Sequence, residues 1–360
     1  MPDGPRLDAV ALGLAAGGQP ARAAAMLKAR TGTWPATPLP DALEALDLHG
    51  PGAAAHWRAE ASRTLARAGA LGCDVVWPAH PAYPALLRAI VDPPLLLWTQ
   101  GDLDCLAEPA VALVGSRQAT AGGREVAHAL GAELAAAGVV VASGFARGID
   151  AAAHLGAVSA GRSLAVLGCG LDIPYPSGHA ELRRALLARG LIVSEFPPGI
   201  PPQPHHFPLR NRTLSGLCHG VVVVQAAQRS GSLITARLAL EQGREVMAVP
   251  GDVRSGANAG GHALIRDGAR LVERAADVLE ELGWGHREAA RAPGSEGATA
   301  VEAPALVGML AQDDGMTLDD LLARTGRSSA DLLGELLDLE LAGLVRRDQA
   351  GRFVPSERKW

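Results

Sequence analysis

The chemistry this sequence offers is arginine set beside asparagine and small hydroxyls. Arg210, Asn211 and Arg212 are consecutive in FPLRNRTLSGL (residues 207–217), just before a short helical pattern. A guanidinium fork grips phosphate oxygens in pairs, and an amide side chain can bond a base or a sugar. A second stretch, RSGSLITA (229–236), follows an apolar run and opens a helix with Ser230, Gly231, Ser232 and Thr235. Backbone N–H and side-chain O–H groups converge on an anion in such a turn. A third, VVVASGFARGIDAAAH (139–154), passes from an apolar strand through Ser143, Gly144, Arg147 and Gly148 into an alanine-rich helix at 149–158. Gly148 permits the tight turn, and the helix N-terminus beside Arg147 favours an anion. Taken singly, each stretch fits turn chemistry with an arginine paired to a neighbouring acid equally well. Asp150, Asp172 and Glu195 are available for such pairing or for acid–base work.

The elements that must position these residues begin at Val111. Short apolar runs at 111–114, 139–142, 164–167, 191–193, 221–224 and 246–249 alternate with helical patterns such as 122–137 and 233–242. That alternation predicts an α/β fold with a doubly wound, mostly parallel sheet. Ligands of such sheets bind at the carboxyl ends of the strands, near a switch in strand order. The rule places loops 115–117, 143–148, 168–175, 195–199 and 225–232 on one rim. Three arginine-bearing motifs on that rim point to a phosphate-binding face.

Charge agrees. The chain carries −5 overall, which argues against a general nucleic-acid binder, yet residues 111–275 hold 16 arginines against 11 acidic residues. The rest of the chain is therefore at −10. A basic centre between acidic ends suits a localised anionic ligand. Lysine occurs only at Lys28 and Lys359, so part of the arginine content is compositional bias.

Several chemistries are disfavoured. No G-x-x-x-x-G-K-[ST] is present, and Gly115-Ser116-Arg117 is not a dinucleotide fingerprint. Cys73, Cys105, Cys169 and Cys218 are scattered, and His154, His205 and His206 lack metal-ligand spacing, so neither a disulfide frame nor a metal site is expected. No apolar run reaches a membrane span and no leader is visible, so a cytoplasmic location is expected.

Around the centre, residues 1–80 read as a small helical domain (SAM-like or helix-hairpin-helix-like), with helical patterns at 21–30 and 53–70. The centre runs from 81 to 284, and its segment 94–98 reads as an edge strand or a strap. Residues 285–303 have linker composition. Residues 304–360 give helical patterns at 305–310, 318–324 (Thr317 as N-cap) and 329–341, then a hairpin, which together suggest a winged helix. Its third helix carries Asp331, Glu335, Asp338 and Glu340, so a protein contact is favoured over duplex reading.

GSR at 115–117, SGFARGIDAAAH at 143–154, LGCGLDIPYP at 167–176, SEFPPG at 194–199, FPLRNR at 207–212, SGSLITA at 230–236 and AVPGD at 248–252 resemble, in order, the DNA-processing protein A family (DprA, also called Smf). The resemblance implies an extended Rossmann-like domain without a nucleotide cofactor, and a typically homodimeric protein that needs no catalytic residue. It implies a mediator that binds single-stranded DNA, protects the incoming strand, displaces single-strand-binding protein and loads RecA during natural transformation. Carried over residue by residue, the DNA pocket comprises Ser116, Arg117, Gly144, Arg147, Phe207, Arg210, Asn211, Arg212, Ser230, Gly231, Ser232 and Thr235, with Phe207 offering a ring to a base. Gln225 stands where glutamate is common, which should leave the pocket more positive, and His179 and His262 stand where asparagine is common. Replacing Arg117, or Arg210 with Arg212, is expected to weaken binding without unfolding. The alternative is a nucleoside-phosphate hydrolase of the Rossmann-like lysine-decarboxylase-like group. That chemistry wants a carboxylate paired to the Gly-rich cradle, and after Ser230 the next one is Glu241.

Overall fold

The computed structural model describes residues 4–17, 52–285, 316–325, 332, 336, 345–347 and 352–355. The chain divides into two compact units, 1–290 and 291–360. The helical patterns at 21–30 and 305–310, and all but the first residue of the linker expected at 285–303, lie outside the described residues.

Each apolar run of the first unit forms a buried strand within a residue or two of the expected bounds. These are β3 (Ala110–Gly115), β4 (Val140–Ser143), β5 (Ser163–Leu167), β6 (Leu191–Ser194), β7 (Gly220–Gln225) and β8 (Glu245–Ala248). With β1 (Asp74–Val76), β2 (Leu97–Gly101) and β9 (Arg270–Leu271) they make a nine-stranded sheet ordered β1-β2-β6-β5-β4-β3-β7-β8-β9. Strands β3 to β9 pair in parallel; β2 runs antiparallel to β6, and β1 to β2. The 94–98 segment thus leads into β2, the second strand from the edge, and β1 covers it.

Side chains alternate across this sheet with period two, so both faces need a cover. Ala112, Val114, Val140, Leu164, Val166, Val221 and Val223 pack beneath Leu214 and Leu217 of α7 (His206–Leu217) and Ala236 and Ala239 of α8 (Ser232–Glu241). Val111, Leu113, Val141 and Val222 face the opposite layer, built from α4 (Ala121–Ala136), α5 (Ile149–Ala160) and α10 (Ala275–Glu281). That second face continues over Ala165, Leu167 and Ile192, where α6 (Ala180–Arg189), α1 (Gly4–Ala15) and α2 (Ala53–Ala70) share a core with Trp98. The described N-terminal helices and the sheet therefore bury one apolar surface together. The short α3 (Ala85–Arg88) and α9 (Ala259–Arg266) complete the unit.

The second unit has a core of Met316, Leu321, Leu332, Leu336, Val345 and Phe353. Helix α11 (Leu318–Thr325) begins at a reciprocal cap: the Asp320 N–H donates to Thr317 Oγ, and the Thr317 N–H to the Asp320 carboxylate. Strands β10 (Val345–Arg347) and β11 (Phe353–Pro355) pair antiparallel, as a wing requires. The acidic residues expected on its third helix lie outside the described residues.

Candidate functional site

The strand order reverses between β3 and β7. From β3 the chain builds outward through β4, β5 and β6; from β7 it builds the other way through β8 and β9. The loops that leave β3 and β7 therefore diverge and open a crevice at their carboxyl ends. Two cavities of about 430 and 540 Å3 occupy that end of the sheet and share Arg117, Gly144, Ala146, Phe207 and Arg210 as a common wall. Loops 115–117, 144–147, 168–177 and 227–232 line them. Loop 195–199 does not, and its Glu195 instead pairs with Arg212.

The first cavity mixes apolar walls, Phe207, Pro208, Leu214 and Ile234 among them, with hydroxyls and arginines. Ser116 and Arg117 reach it from β3, Gly144 and Asp150 from the β4 turn, and Arg229, Ser230, Gly231, Ser232 and Thr235 from the start of α8. The Ser230 and Ser232 hydroxyls are 2.7 Å apart, and the Ser232 N–H points at Ser230 Oγ. Ser116 Oγ accepts from the Gln118 N–H. Gly148 has φ 81°, and a Cβ there would overlap the Ser116 carbonyl oxygen. The glycine thus seats the β4 turn directly on the Arg117 loop.

Helix α7 supplies the wall between the cavities. It starts at His206, so Arg210, Asn211 and Arg212 lie within the helix rather than before it. Phe207, Arg210, Asn211 and Leu214, at i, i+3, i+4 and i+7, form one face and line the first cavity. Arg212 falls on the other side. Its guanidinium is buried, 2.6 Å from Glu195 and 2.7 Å from Asp92, and donates to the Asp92 carbonyl. Burial works against this charge, but the two carboxylates outweigh it and raise the Arg212 pKa. The structure therefore does not bring Arg212 to the groove with the other residues expected there.

Arg210 does line the groove, but its charge faces inward. It is 5% exposed and donates through Nη1 to the carbonyls of Gly144 and Val166, the latter at 2.6 Å. Asp150 lies beside it, accepting the Ala146 N–H at 3.2 Å. Burial pushes the Asp150 carboxyl above its ordinary range, against the pull of Arg210. Removing Arg210 or Arg212 thus strips partners from buried groups, and the expectation that their joint loss leaves the fold intact does not suit this packing.

The free charges are elsewhere. Arg117, Arg147 and Arg229 are exposed, and no ion pair forms at any of them among the described residues. Arg117 lies over the Phe207 ring at 5.1 Å, and Arg147 reaches Ser177 Oγ at 3.4 Å. The second cavity is lined by Phe145, Leu167, Pro174, Tyr175 and Pro176, with Arg147 also on its lining. Arg229 and Tyr175 were not among the residues expected from sequence. Both sit in motifs noted there, and an arginine beside a serine-glycine turn and an aromatic between prolines were the available signals.

The three departures from the family pattern fall differently. Gln225 faces away from the groove, and its Oε1 accepts the Thr120 N–H at 2.9 Å ahead of α4. His262 Nε2 meets Gly251. His179 underlies the second cavity, its ring edge-on to Phe145 at 5.2 Å. Among the described residues no cluster of His, Cys, Asp or Glu is arranged to hold a metal, and no helix is long and apolar enough to cross a membrane.

Known proteins resemble this chain over most of its length. The family described as DNA recombination-mediator protein A matches residues 74–283, and the DprA winged helix domain matches 289–351. Protein Smf of Escherichia coli (strain K12) is 42% identical over 271 residues, 73% of this chain and 72% of its own. DNA processing protein DprA of Streptococcus pneumoniae is 45% identical over 205 residues, 56% of this chain and 71% of its own. The X-ray structure of DNA processing protein A from Streptococcus pneumoniae aligns with a TM-score of 0.65 at 35% identity, covering 74% of this chain and 94% of that one. A structure described as showing the single-stranded DNA binding mode of DNA processing protein A from Helicobacter pylori aligns at 0.53 and 27% identity, over 58% and 95%.

Proposed function

We propose a function on one premise: the chain belongs to the DNA recombination-mediator protein A family. In this reading it binds single-stranded DNA along the groove at the β3/β7 switch point. Arg117, Arg147 and Arg229 hold phosphates, the start of α8 adds N–H and O–H donors, and Phe207 gives a ring to a base. Ser116, Gly144, Asn211, Ser230, Gly231, Ser232 and Thr235 shape the same surface, and Arg210 sets the wall from within. The observation that carries this is the convergence on a single crevice of one aromatic ring and three exposed arginines that form no ion pair among the described residues.

Family membership supports a wider role as part of the same proposal. The protein protects an incoming strand in the cytoplasm, displaces single-strand-binding protein, loads RecA during natural transformation and works as a homodimer. The hydrolase alternative needs a carboxylate turned towards a bound sugar. Asp150, a carboxylate lining the first cavity, is buried and engaged with Ala146 and Arg210, which favours binding over chemistry.

Fluorescence anisotropy with labelled oligo-dT and a matched duplex, across a salt series, tests the reading. Tight, salt-sensitive binding that prefers the single strand is expected. No binding at low salt removes it.

A further inference from the structure

We propose that Arg67 of helix α2 is a positioning residue for the groove: it holds the 168–177 rim loop through Asp172 and so ties strand binding to the N-terminal helices. The inference rests on the single-strand reading above.

In the sequence Arg67 is a cation in the last turn of a helix, where the helix dipole alone would account for it. The structure gives it a distant partner. Its Nη2 donates to Asp172 Oδ2 at 2.7 Å, and Asp172 Oδ1 accepts the Gly199 N–H at 2.7 Å. One carboxylate thus joins α2, the loop after β5 and the loop after β6. The backbone is shaped to admit this arrangement. Gly199 has φ 96°, and a Cβ there would come within 2.8 Å of Arg67 Nη1. A Cβ on Gly170 would come within 2.9 Å of Asp172 Oδ1.

A second tie runs beside the first. The Leu71 carbonyl, one residue beyond α2, accepts from Gln100 Nε2 at 2.9 Å. Arg183 Nη2 donates to Gln100 Oε1 at 2.6 Å and to the Leu171 carbonyl at 2.7 Å. Leu65 and Ala68 of α2 share a core with Cys169 and Leu171 of the loop.

The loop held in this way is part of the groove. It brings Gly168, Cys169 and residues 174–177 to the second cavity, with Ser177 Oγ 3.4 Å from Arg147 and the Tyr175 ring 5.9 Å from Phe207. Arg67 lines neither cavity, so it acts only through the loop. A loop fixed beforehand spares the ordering cost when a strand binds, and freeing it weakens affinity without removing a contact.

The test uses the full chain and labelled oligo-dT. The Arg67 side chain is 56% exposed, so Arg67→Ala should keep the parent's thermal midpoint while binding about fivefold more weakly. Arg67→Lys should recover most of that loss. Arg63→Ala, which removes an exposed arginine one turn earlier on α2, should leave affinity unchanged. The four cysteines of the chain are buried, so a nitroxide introduced by Ser177→Cys reports on the loop. Its spectrum should show faster motion when Arg67→Ala is added. The dependence of log affinity on log salt should keep its slope in Arg67→Ala; a fall of about 0.7 means that Arg67 itself holds a phosphate and overturns the positioning role. An equal loss in Arg63→Ala, or an unchanged affinity or nitroxide spectrum in Arg67→Ala, overturns it too and leaves the single-strand reading in place. Failure of the parent to bind oligo-dT overturns both.

Discussion

Arginines that look alike in the sequence do different work. Arg117 is exposed over Phe207, Arg210 is buried under Gly144 and Val166, and Arg212 is locked between Glu195 and Asp92. Arg117→Ala should therefore weaken oligo-dT binding by one or more powers of ten with an unchanged thermal midpoint. Arg212→Ala leaves Glu195 buried without its cation and should cost about 3–5 kcal/mol in a urea titration, whatever its effect on DNA. His154 makes a separate prediction. Ser163 Oγ donates to the Val141 carbonyl and lies 2.7 Å from His154 Nδ1, so Nδ1 carries the proton and the buried Nε2 has no hydrogen-bond partner among the described residues. Burial, with smaller contributions from His179 and Arg210, pushes its pKa down to about 3. The folded pKa lies below the unfolded one near 6.5, so the stabilising contribution is present above about pH 6.5 and is lost as pH falls towards 3. The slope from this group is at most about 1.4 kcal/mol per pH unit. Urea midpoints at pH 7 and pH 5 should move less in His154→Gln, with the residual slope carried partly by His179 and His206, whose pKa values are also lowered by burial.

Among the elements, the junction of β4 with α5 controls the site. Gly148 ends the turn, and the Ile149 N–H donates to the Ser116 carbonyl at 3.2 Å, joining that turn to the loop of Arg117. Gly148→Ala meets both a left-handed backbone and the Ser116 oxygen. It should lower stability by more than about 1 kcal/mol and displace the Arg117 loop, so chemical denaturation and oligo-dT affinity should both record the loss. Helix α7 teaches a related lesson. On a helix, residues two apart point about 200° from each other, so Arg210 and Arg212 cannot serve one groove. Reading the helix from His206 instead of from beyond Arg212 turns FPLRNRTL into one face of Phe207, Arg210, Asn211 and Leu214.

For the whole molecule, the charge distribution sets how binding responds to salt. Net charge is −5, yet the groove gathers Arg117, Arg147 and Arg229 with no ion pair at any of them among the described residues. Single-strand affinity should fall log-linearly with salt, and each phosphate that the protein no longer neutralises should reduce the slope by about 0.7. Arg117→Ala is expected to lower it by that amount, measured between low and physiological salt. An unchanged slope would place the phosphates elsewhere.

The sequence by itself determined the strands, the βα turns and the family. Runs of Val, Leu and Ala bounded by Gly and Ser specify buried parallel strands locally, and Gly148 marks a turn that few other residues allow. Only the tertiary structure decided which side chains share the groove. That depended on where α7 begins, on the reversal of strand order between β3 and β7, and on carboxylates distant in sequence. Asp92 and Glu195 claim Arg212 across 120 and 17 residues, and Arg67 reaches Asp172 across 105. Such pairings are fixed by how the layers pack, and local pattern carries no record of them.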